Sequence, residues 1–152
     1  MSLKQVFDPI RKQWVSGTPE EIVRQKWLEV MIHHLGFPKD LIVVERGLKL
    51  LPHLKGDLSA YPDRRVDLLA YAKGKKDELF PLLLIECKCI PLNEKALKQV
   101  TGYHHLIQSK FIALANENEI LVGYQTKRGF EMLNFLPDYT QLLKAMISSY
   151  HA

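Results

Sequence analysis

The chain has 152 residues, a length that suits one compact domain with a single core. With 47% apolar and 25% charged residues, its composition is that of an ordinary soluble globular protein. No apolar run approaches the roughly 20 residues that cross a bilayer, and the first eight residues lack the apolar core of a signal peptide. We therefore expect a cytoplasmic protein without a membrane partner. The net charge of +4 favours a polyanionic partner such as DNA.

The first strong signal in chain order is a helix start. Residues 1–17 are predicted to form an N-terminal arm or a short helix, with Trp14 as an anchor. Thr18 is the predicted cap of the following helix, and Glu21 completes a capping box. Apolar residues then recur at helical spacing until Gly36, which is predicted to end the helix.

The rest of the chain alternates between strand and helix patterns. Strands are predicted at 41–51, 65–72, 79–89, 111–115 and 119–126, with a further one at 129–136, and helices at 93–108 and 138–150. The segment 52–63 holds turn residues and is predicted to be a surface loop. The four apolar residues 82–85 indicate a strand buried on both faces. This order predicts an α/β fold over residues 18–152, with a mixed central β-sheet flanked by helices.

The chemistry-bearing residues lie on two neighbouring predicted strands. Side chains alternate along a strand, so Glu86 and Lys88 project together, while Cys87 and Cys89 project to the other face. We expect both cysteines to be buried, reduced thiols. A hairpin between the two strands would bring Asp67 beside Glu86. The pattern therefore predicts two carboxylates and an ammonium group in one cleft.

These residue types fit metal-dependent hydrolysis. Mg²⁺ prefers oxygen ligands, typically one or two carboxylates with waters and substrate phosphate. Such an ion activates water and neutralises charge that develops on phosphorus. Lys88 could orient that water or stabilise the pentavalent phosphate, and the carboxylates of Asp67 and Glu86 would keep the lysine protonated. The alternative is an ion pair on an amphipathic edge strand, although unpaired charges are costly in so apolar a segment.

Several further residues are candidates for the same site. Glu20, on the first helix, is predicted to point into the cleft as an additional acidic group; the alternative is a surface ion pair with Arg24. Gln99 and Tyr103 lie one helical turn apart and share a face. The basic residues nearest the proposed centre are predicted phosphate contacts: Arg64, Arg65, Lys95 and Lys98.

Taken together, these motifs resemble a known family. The matching segments are Thr18-Pro19-Glu20-Glu21-Ile22-Val23-Arg24-Gln25, Leu35-Gly36-Phe37-Pro38, Glu45, Arg65-Val66-Asp67-Leu68, Leu83-Leu84-Ile85-Glu86-Cys87-Lys88 and Gln99-Val100-Thr101-Gly102-Tyr103. In order and spacing they resemble the N-terminal nuclease domain of type I restriction enzyme R subunits, including stand-alone versions, in the PD-(D/E)xK nuclease superfamily.

The resemblance implies a restriction-endonuclease-like α/β core and an Mg²⁺-dependent deoxyribonuclease, an endonuclease in which Mn²⁺ can substitute. Asp67 and Glu86 would bind the metal, with the backbone carbonyl of Cys87 as an extra ligand, and Lys88 would serve the attacking water. DNA would be the substrate, and a homodimer or a larger restriction or repair complex the assembly. The alternatives are a catalytically silent DNA-binding or assembly module of the same fold, and a structural partner protein whose charges form an ion-pair network.

Two further points follow from the resemblance. The Gln99/Tyr103 pair resembles the Q-x-x-x-Y motif of RecB-like nucleases, which supports the site and the DNA backbone. The family often carries a Thr-Asn-Gly turn after the strand that follows this helix. Here the place reads Ala115-Asn116-Glu117, so the asparagine alone is kept.

Overall fold

The computed structural model describes residues 3–100 and 104–150. Its strands and helices follow in chain order: β1 (Gln5–Asp8), β2 (Gln13–Ser16), α1 (Pro19–Glu29), β3 (Ile42–Gly47), β4 (Arg65–Lys73), β5 (Leu79–Cys87), α2 (Glu94–Val100), α3 (His104–Ile107), β6 (Phe111–Ala115), β7 (Ile120–Thr126), β8 (Gly129–Leu133) and α4 (Tyr139–Tyr150). Strands β3 to β8 lie within one or a few residues of the predicted segments, except that β3 and β8 end earlier than predicted.

A six-stranded sheet organises the domain. Its strands are ordered β3-β4-β5-β6-β7-β8, and β5 and β6 run parallel while every other neighbouring pair in this described sheet is antiparallel. The parallel pair requires a crossover, which the segment containing α2 and α3 supplies. The predicted α/β fold with a mixed central sheet flanked by helices is confirmed.

The N-terminal segment is a β-hairpin, so the predicted short helix is wrong. Strands β1 and β2 form a separate antiparallel pair in which Phe7 lies opposite Trp14. Trp14 is 66% exposed and does not anchor the segment. The anchor is Asp8, which is fully buried and accepts hydrogen bonds from the backbone N–H groups of Ile10 and Arg11 at 2.8 and 2.9 Å. The hydrogen-bonded carboxylate of Asp8, and not the aromatic ring of Trp14, therefore anchors this hairpin.

Apolar residues cover both faces of the sheet. The run Leu82–Ile85 is fully buried, which confirms the prediction for the centre of β5. Strand β3 ends at Gly47 instead of continuing to residue 51, and a 3₁₀ turn follows. Leu48 and Leu51 both enter the same core cluster. Residues three apart would point to opposite faces of a strand, so the chain leaves the strand conformation to bury both.

One of the two cysteine predictions is corrected by the structure. Cys87 is buried in the core against the helix α1 side of the sheet, as predicted. Cys89 is exposed, because β5 ends at Cys87 and the alternation that would have turned Cys89 inward ends with it. Burial raises the pKa of the Cys87 thiol, which keeps it protonated.

The helices also differ in detail from their predicted extents. Helix α1 ends at Glu29 and continues as a π-helical turn, after which Gly36 adopts φ +71° and ends the helical segment as predicted. The range predicted as one helix holds α2 and α3, and Asn93 caps α2 by accepting the N–H of Ala96 at 2.8 Å. Tyr103 lies outside the described residues. Within the described ranges, no helix has the length and apolar character to cross a membrane.

The closing helix is tied to the sheet by one hydroxyl. Tyr139 donates a hydrogen bond to the carbonyl of Tyr71 at 2.8 Å. We predict that Tyr139→Phe lowers the free energy of unfolding by about 0.5–1.5 kcal/mol, because the bond is lost while the ring is kept. Urea denaturation measures the change. Tyr61→Phe is the matched control, since the Tyr61 hydroxyl has no hydrogen bond to the described residues; equal effects of the two changes would contradict the prediction.

Candidate active site

The hairpin of β4 and β5 brings the two predicted carboxylates together. The pairing of the two strands ends with Leu68 opposite Ile85, so Asp67 and Glu86 are the next residues at the same end of the hairpin. The Cys87 N–H donates a hydrogen bond to Asp67 Oδ2 at 2.8 Å. Asp67 is therefore fixed against the end of β5, next to Glu86, as the sequence predicts.

Glu86 has an unusual environment for a carboxyl group. It is 9% exposed, and its Oε1 atom has no hydrogen-bond partner among the described residues. Burial, together with the negative charge of Asp67, raises the pKa of Glu86 to about 9, although Lys88 and Arg64 act in the opposite direction. Without a cation, Glu86 therefore holds a proton at neutral pH.

Glu86 opens into a small cleft of about 170 Å³. Its lining comes from the end of β5 and the segment after it, from α2, from β6 and from the loop before β4: Arg64, Glu86, Lys88, Ile90, Ala96, Gln99 and Leu114. Lys88 follows the last residue of β5, and its N–H bonds the carbonyl of Ala115 at 2.8 Å. That bond continues the sheet pairing by one residue and keeps Lys88 on the Glu86 side of the strand.

The predicted phosphate contacts lie around this cleft to different degrees. Arg64 lines it directly. Lys95 and Lys98 line an open groove on α2 that also includes Gln99, and Gln99 belongs to the cleft lining as well. Lys98 pairs with a glutamate one turn earlier at 3.0 Å. Arg65 is exposed at the start of β4 and lines neither concavity.

The acidic residues at the start of α1 have different partners from those expected. Glu20 is exposed, and in the described part of the chain it makes no ion pair, so the alternative Glu20–Arg24 pair is wrong. Arg24 is buried and binds other carboxylates: it donates hydrogen bonds to Glu21 at 2.7 Å and Asp67 at 2.8 Å, and it forms a longer ion pair with Glu45 at 3.6 Å. Burial acts to lower the pKa of Arg24, but the bonds to Asp67 and Glu21 raise it above its ordinary value.

The predicted capping box is half formed. Thr18 accepts the N–H of Glu21 at 3.1 Å and caps α1 as expected. The Glu21 side chain does not return to the cap. It accepts hydrogen bonds from Arg11 at 2.6 Å and Arg24 at 2.7 Å, because charge-assisted bonds to guanidinium groups are stronger than a bond to a neutral N–H.

A family model described as Type I restriction enzyme R protein N terminus (HSDR_N) matches residues 19–137. The chain belongs to this family. The matched range includes every residue of the cleft and of the α2 groove, and the six-stranded mixed sheet is a restriction-endonuclease-like core. The family resemblance inferred from the motifs is confirmed. No curated protein matches the chain significantly.

In this R protein N-terminal domain, sequence reasoning missed the role of two arginines. Arg24 contacts Asp67, and the three-residue spacing from Glu21 is a signal that could have favoured a Glu21–Arg24 pair over the Glu20 pair. Arg11 contacts Glu21 and Glu45 from the N-terminal hairpin. Its contact with Asp8, three residues earlier, is local, but no local pattern marks its contacts with Glu21 and Glu45, which lie 10 and 34 residues away.

The asparagine kept from the family's turn motif has a structural explanation. The Asn116 side-chain oxygen accepts the N–H groups of Asn118 and Glu119 at 2.9 and 2.8 Å, which closes the turn between β6 and β7. Its amide nitrogen donates to the carbonyl of Ile90 at 3.0 Å. Asn116 thereby ties this turn to the segment that follows Lys88 and lines the cleft.

The donor set fits a divalent cation. The described residues contain no cluster of three or more His, Cys, Asp or Glu side chains arranged for metal binding. Asp67 and Glu86 supply two carboxylates, and the unpartnered Glu86 oxygen is a buried acceptor that a cation would satisfy. Two carboxylates with the remaining positions filled by water and phosphate is the usual arrangement for Mg²⁺.

The raised pKa of Glu86 predicts a pH-dependent stability. Between its ordinary value of 4.5 and about 9, the folded state binds more protons than the unfolded state. Stability of the metal-free protein should therefore fall as pH rises through this window, with a contribution of at most about 1.4 kcal/mol per pH unit. Glu86→Gln removes this contribution, so in EDTA the variant should lose less stability than the wild type between pH 5 and 8. Glu29→Gln, an exposed site, is the control, and parallel profiles for wild type and E86Q would refute the prediction.

Proposed function

We propose that the protein is a metal-dependent deoxyribonuclease that hydrolyses phosphodiester bonds, with Mg²⁺ as its cofactor and Mn²⁺ as a substitute. The observation that carries this proposal is the buried, unpartnered oxygen of Glu86 beside Asp67, in a cleft that also contains a lysine and an arginine. A buried carboxylate beside a partly buried one is costly, and a divalent cation offsets that cost. Membership of the restriction enzyme family supports DNA as the substrate.

Asp67 and Glu86 would hold the metal, with the Cys87 carbonyl as an extra ligand. A bound Mg²⁺ would act as a Lewis acid on the phosphoryl oxygen and lower the pKa of a water molecule. Glu20 is proposed as a further acidic group at this centre. Burial and the charge of Asp67 are the main causes of the raised pKa of Cys87, and the charge of Glu20 adds a smaller effect in the same direction.

Two basic side chains would act on the attacking water and on the phosphate. Lys88, on the Glu86 side of the strand, would orient the attacking water. Arg64 would bind a non-bridging phosphate oxygen as charge develops on phosphorus. The water oxygen forms a bond to phosphorus, the ester P–O bond breaks, and the products are a phosphomonoester and a hydroxyl end. Gln99, and Tyr103 beyond the described residues, would support the site and the DNA backbone.

The DNA backbone would run from the cleft onto α2. Gln99 borders both the cleft and the open groove on α2, so one continuous surface carries four basic side chains: Arg64, Lys88, Lys95 and Lys98. Arg65, which lines neither concavity, is proposed to contact a phosphate further along the strand. Such an open path suits cleavage within a DNA chain, and we propose an endonuclease.

The competing function for the same fold is that of a catalytically silent DNA-binding or assembly module. A protein that only binds DNA gains nothing from a pair of neighbouring carboxylates, which repels phosphate.

The homodimer, the larger restriction or repair complex and the cytoplasmic location expected from the sequence stay predictions. Sedimentation of the protein with and without DNA measures its oligomeric state.

Cleavage assays test the proposed activity. We predict that the protein cuts closed circular plasmid in Mg²⁺ or Mn²⁺, and that Asp67→Asn, Glu86→Gln and Lys88→Met each slow cleavage by at least about 100-fold. Circular DNA has no ends, so its cleavage identifies an endonuclease, and linear single-stranded and branched DNA are assayed in parallel. Glu20→Gln is added to test its proposed acidic role.

Matched surface changes serve as controls for these assays. Asp63→Asn and Lys75→Met alter exposed residues outside the cleft and should retain wild-type rates. Binding of DNA without cleavage in either metal would reject the nuclease and favour the silent module.

The proposed DNA path predicts a change in salt dependence. Each phosphate contact contributes about 0.9 to the slope of log affinity against log salt concentration. For a short duplex in EDTA, Lys95→Ala and Arg64→Ala should each reduce the magnitude of this slope by about 0.9, the value for one phosphate contact. The loss of affinity should be similar for different DNA sequences. Lys75→Ala, at the far end of the β4–β5 hairpin, should leave the slope unchanged; if it has the same effect as K95A, the path is elsewhere.

A further inference from the structure

A continuous set of buried and partly buried ion pairs connects the N-terminal hairpin to the candidate metal ligand Asp67. It starts at Asp8, which is fully buried and accepts a hydrogen bond from Arg11 Nε at 2.6 Å. Arg11 also donates to Glu21 at 2.6 Å and to Glu45 at 2.9 Å. All three nitrogens of this guanidinium therefore bind carboxylates, so its position relative to α1 and β3 is fixed.

The carboxylate of Glu21 connects Arg11 to Arg24. Its Oε1 atom accepts from both Arg11 and Arg24, while its Oε2 atom accepts from Gln25 at 3.2 Å. Gln25 also binds Asp8 at 3.0 Å, which closes a ring of contacts between the hairpin and α1. Both carboxylate oxygens of Glu21 are engaged, so its side chain has one geometry.

Arg24 is the last member of the set and contacts the site. Its Nη2 atom donates to Asp67 Oδ1 at 2.8 Å, while Asp67 Oδ2 accepts from the Cys87 backbone at 2.8 Å. With one anchor on each oxygen, the plane of the Asp67 carboxylate is set by α1 on one side and β5 on the other. The remaining lone pairs of those oxygens are the ones that a metal can use.

The arrangement is costly for a purely structural contact. Arg24 is 5% exposed, and its Nε atom is buried without a hydrogen-bond partner among the described residues. Apolar side chains of similar volume stabilise a buried interface as well as or better than buried ion pairs do. An arginine that reaches two carboxylates from one guanidinium is needed where the direction of a carboxylate matters.

We propose that Arg24 is a positioning residue for Asp67 and that the N-terminal hairpin, through Arg11 and Glu21, sets the orientation of Arg24. The inference rests on the proposed metal-dependent function, because it concerns how strongly the site binds the cation. It assigns the hairpin a role in the site although none of its residues lines the cleft.

Metal titration tests the proposal directly. Changes to groups that orient a metal ligand typically cost 10- to 100-fold in metal affinity. We expect Arg24→Gln to weaken Mn²⁺ binding, measured by calorimetry, by about that factor, and Arg11→Gln to weaken it by a smaller factor although Arg11 does not contact Asp67. Arg24→Lys should lie between wild type and R24Q, because one ammonium group cannot reproduce the forked contact to two carboxylates. Arg128→Gln, on an exposed turn, should bind Mn²⁺ as the wild type does.

A second readout separates positioning from loss of structure. If Arg24 acts on metal affinity, cleavage by R24Q should return towards the wild-type kcat when Mn²⁺ is raised about 10- to 100-fold. Duplex binding in EDTA should be unchanged. A variant that is damaged structurally would show neither behaviour.

The outcomes distinguish this proposal from the one on which it rests. No Mn²⁺ binding by the wild type rejects the metal-dependent function itself. Wild-type binding that R24Q, R24K and R11Q all retain in full rejects the positioning role alone. If all three variants lose their cooperative unfolding transition, the network is structural and the positioning role is likewise rejected.

Discussion

The structure depends on one electrostatic constraint, the placement of two carboxyl groups side by side at the end of a buried strand pair. Glu86 is deep enough that burial alone raises its pKa, and Asp67 adds a like charge beside it. The cleft keeps this arrangement because Asp67 is anchored at both oxygens while one Glu86 oxygen is left without a partner. The rest of the domain holds these two groups in place, and protonation of Glu86 avoids the repulsion between two charged carboxylates in the metal-free protein.

The backbone of the neighbouring strand β3 is strained at the residue that lies beside these carboxyl groups. Glu45 lies opposite Asp67 in the register that pairs Val44 with Leu68, and it has φ +45°, a left-handed conformation that a glutamate rarely adopts. Such a residue costs of order 1–3 kcal/mol and persists only where its surroundings fix it. Here the ion pair with Arg11 at 2.9 Å holds the Glu45 carboxylate in the network of the N-terminal hairpin. The strain therefore lies next to the site.

The sequence predicts the parts of this arrangement that depend on local pattern. Strand alternation and a short hairpin were enough to place Glu86 and Lys88 in one cleft and Asp67 near Glu86, although Asp67 does not line that cleft. The buried centre of β5 followed from its composition. Contacts between distant segments were not predictable in this way. Arg11 reaches across 34 residues to Glu45, and the exposure of Cys89 depends on where the pairing with β6 stops. The exposed Trp14 was misread because aromatic residues are usually buried.

The charge balance of the network explains why cation binding and stability are linked. Among the described residues, its carboxylates outnumber its guanidinium groups: Asp8, Glu21, Glu45 and Asp67 against Arg11 and Arg24. Adding an ionised Glu86 increases this excess, and Lys88 offsets only one charge. Protonation of Glu86 is the response of the metal-free protein, whereas a divalent cation would neutralise the same excess and allow Glu86 to ionise. A cation that binds only the folded state also stabilises it, and its binding would displace the Glu86 proton, so cation binding, protonation and stability are linked.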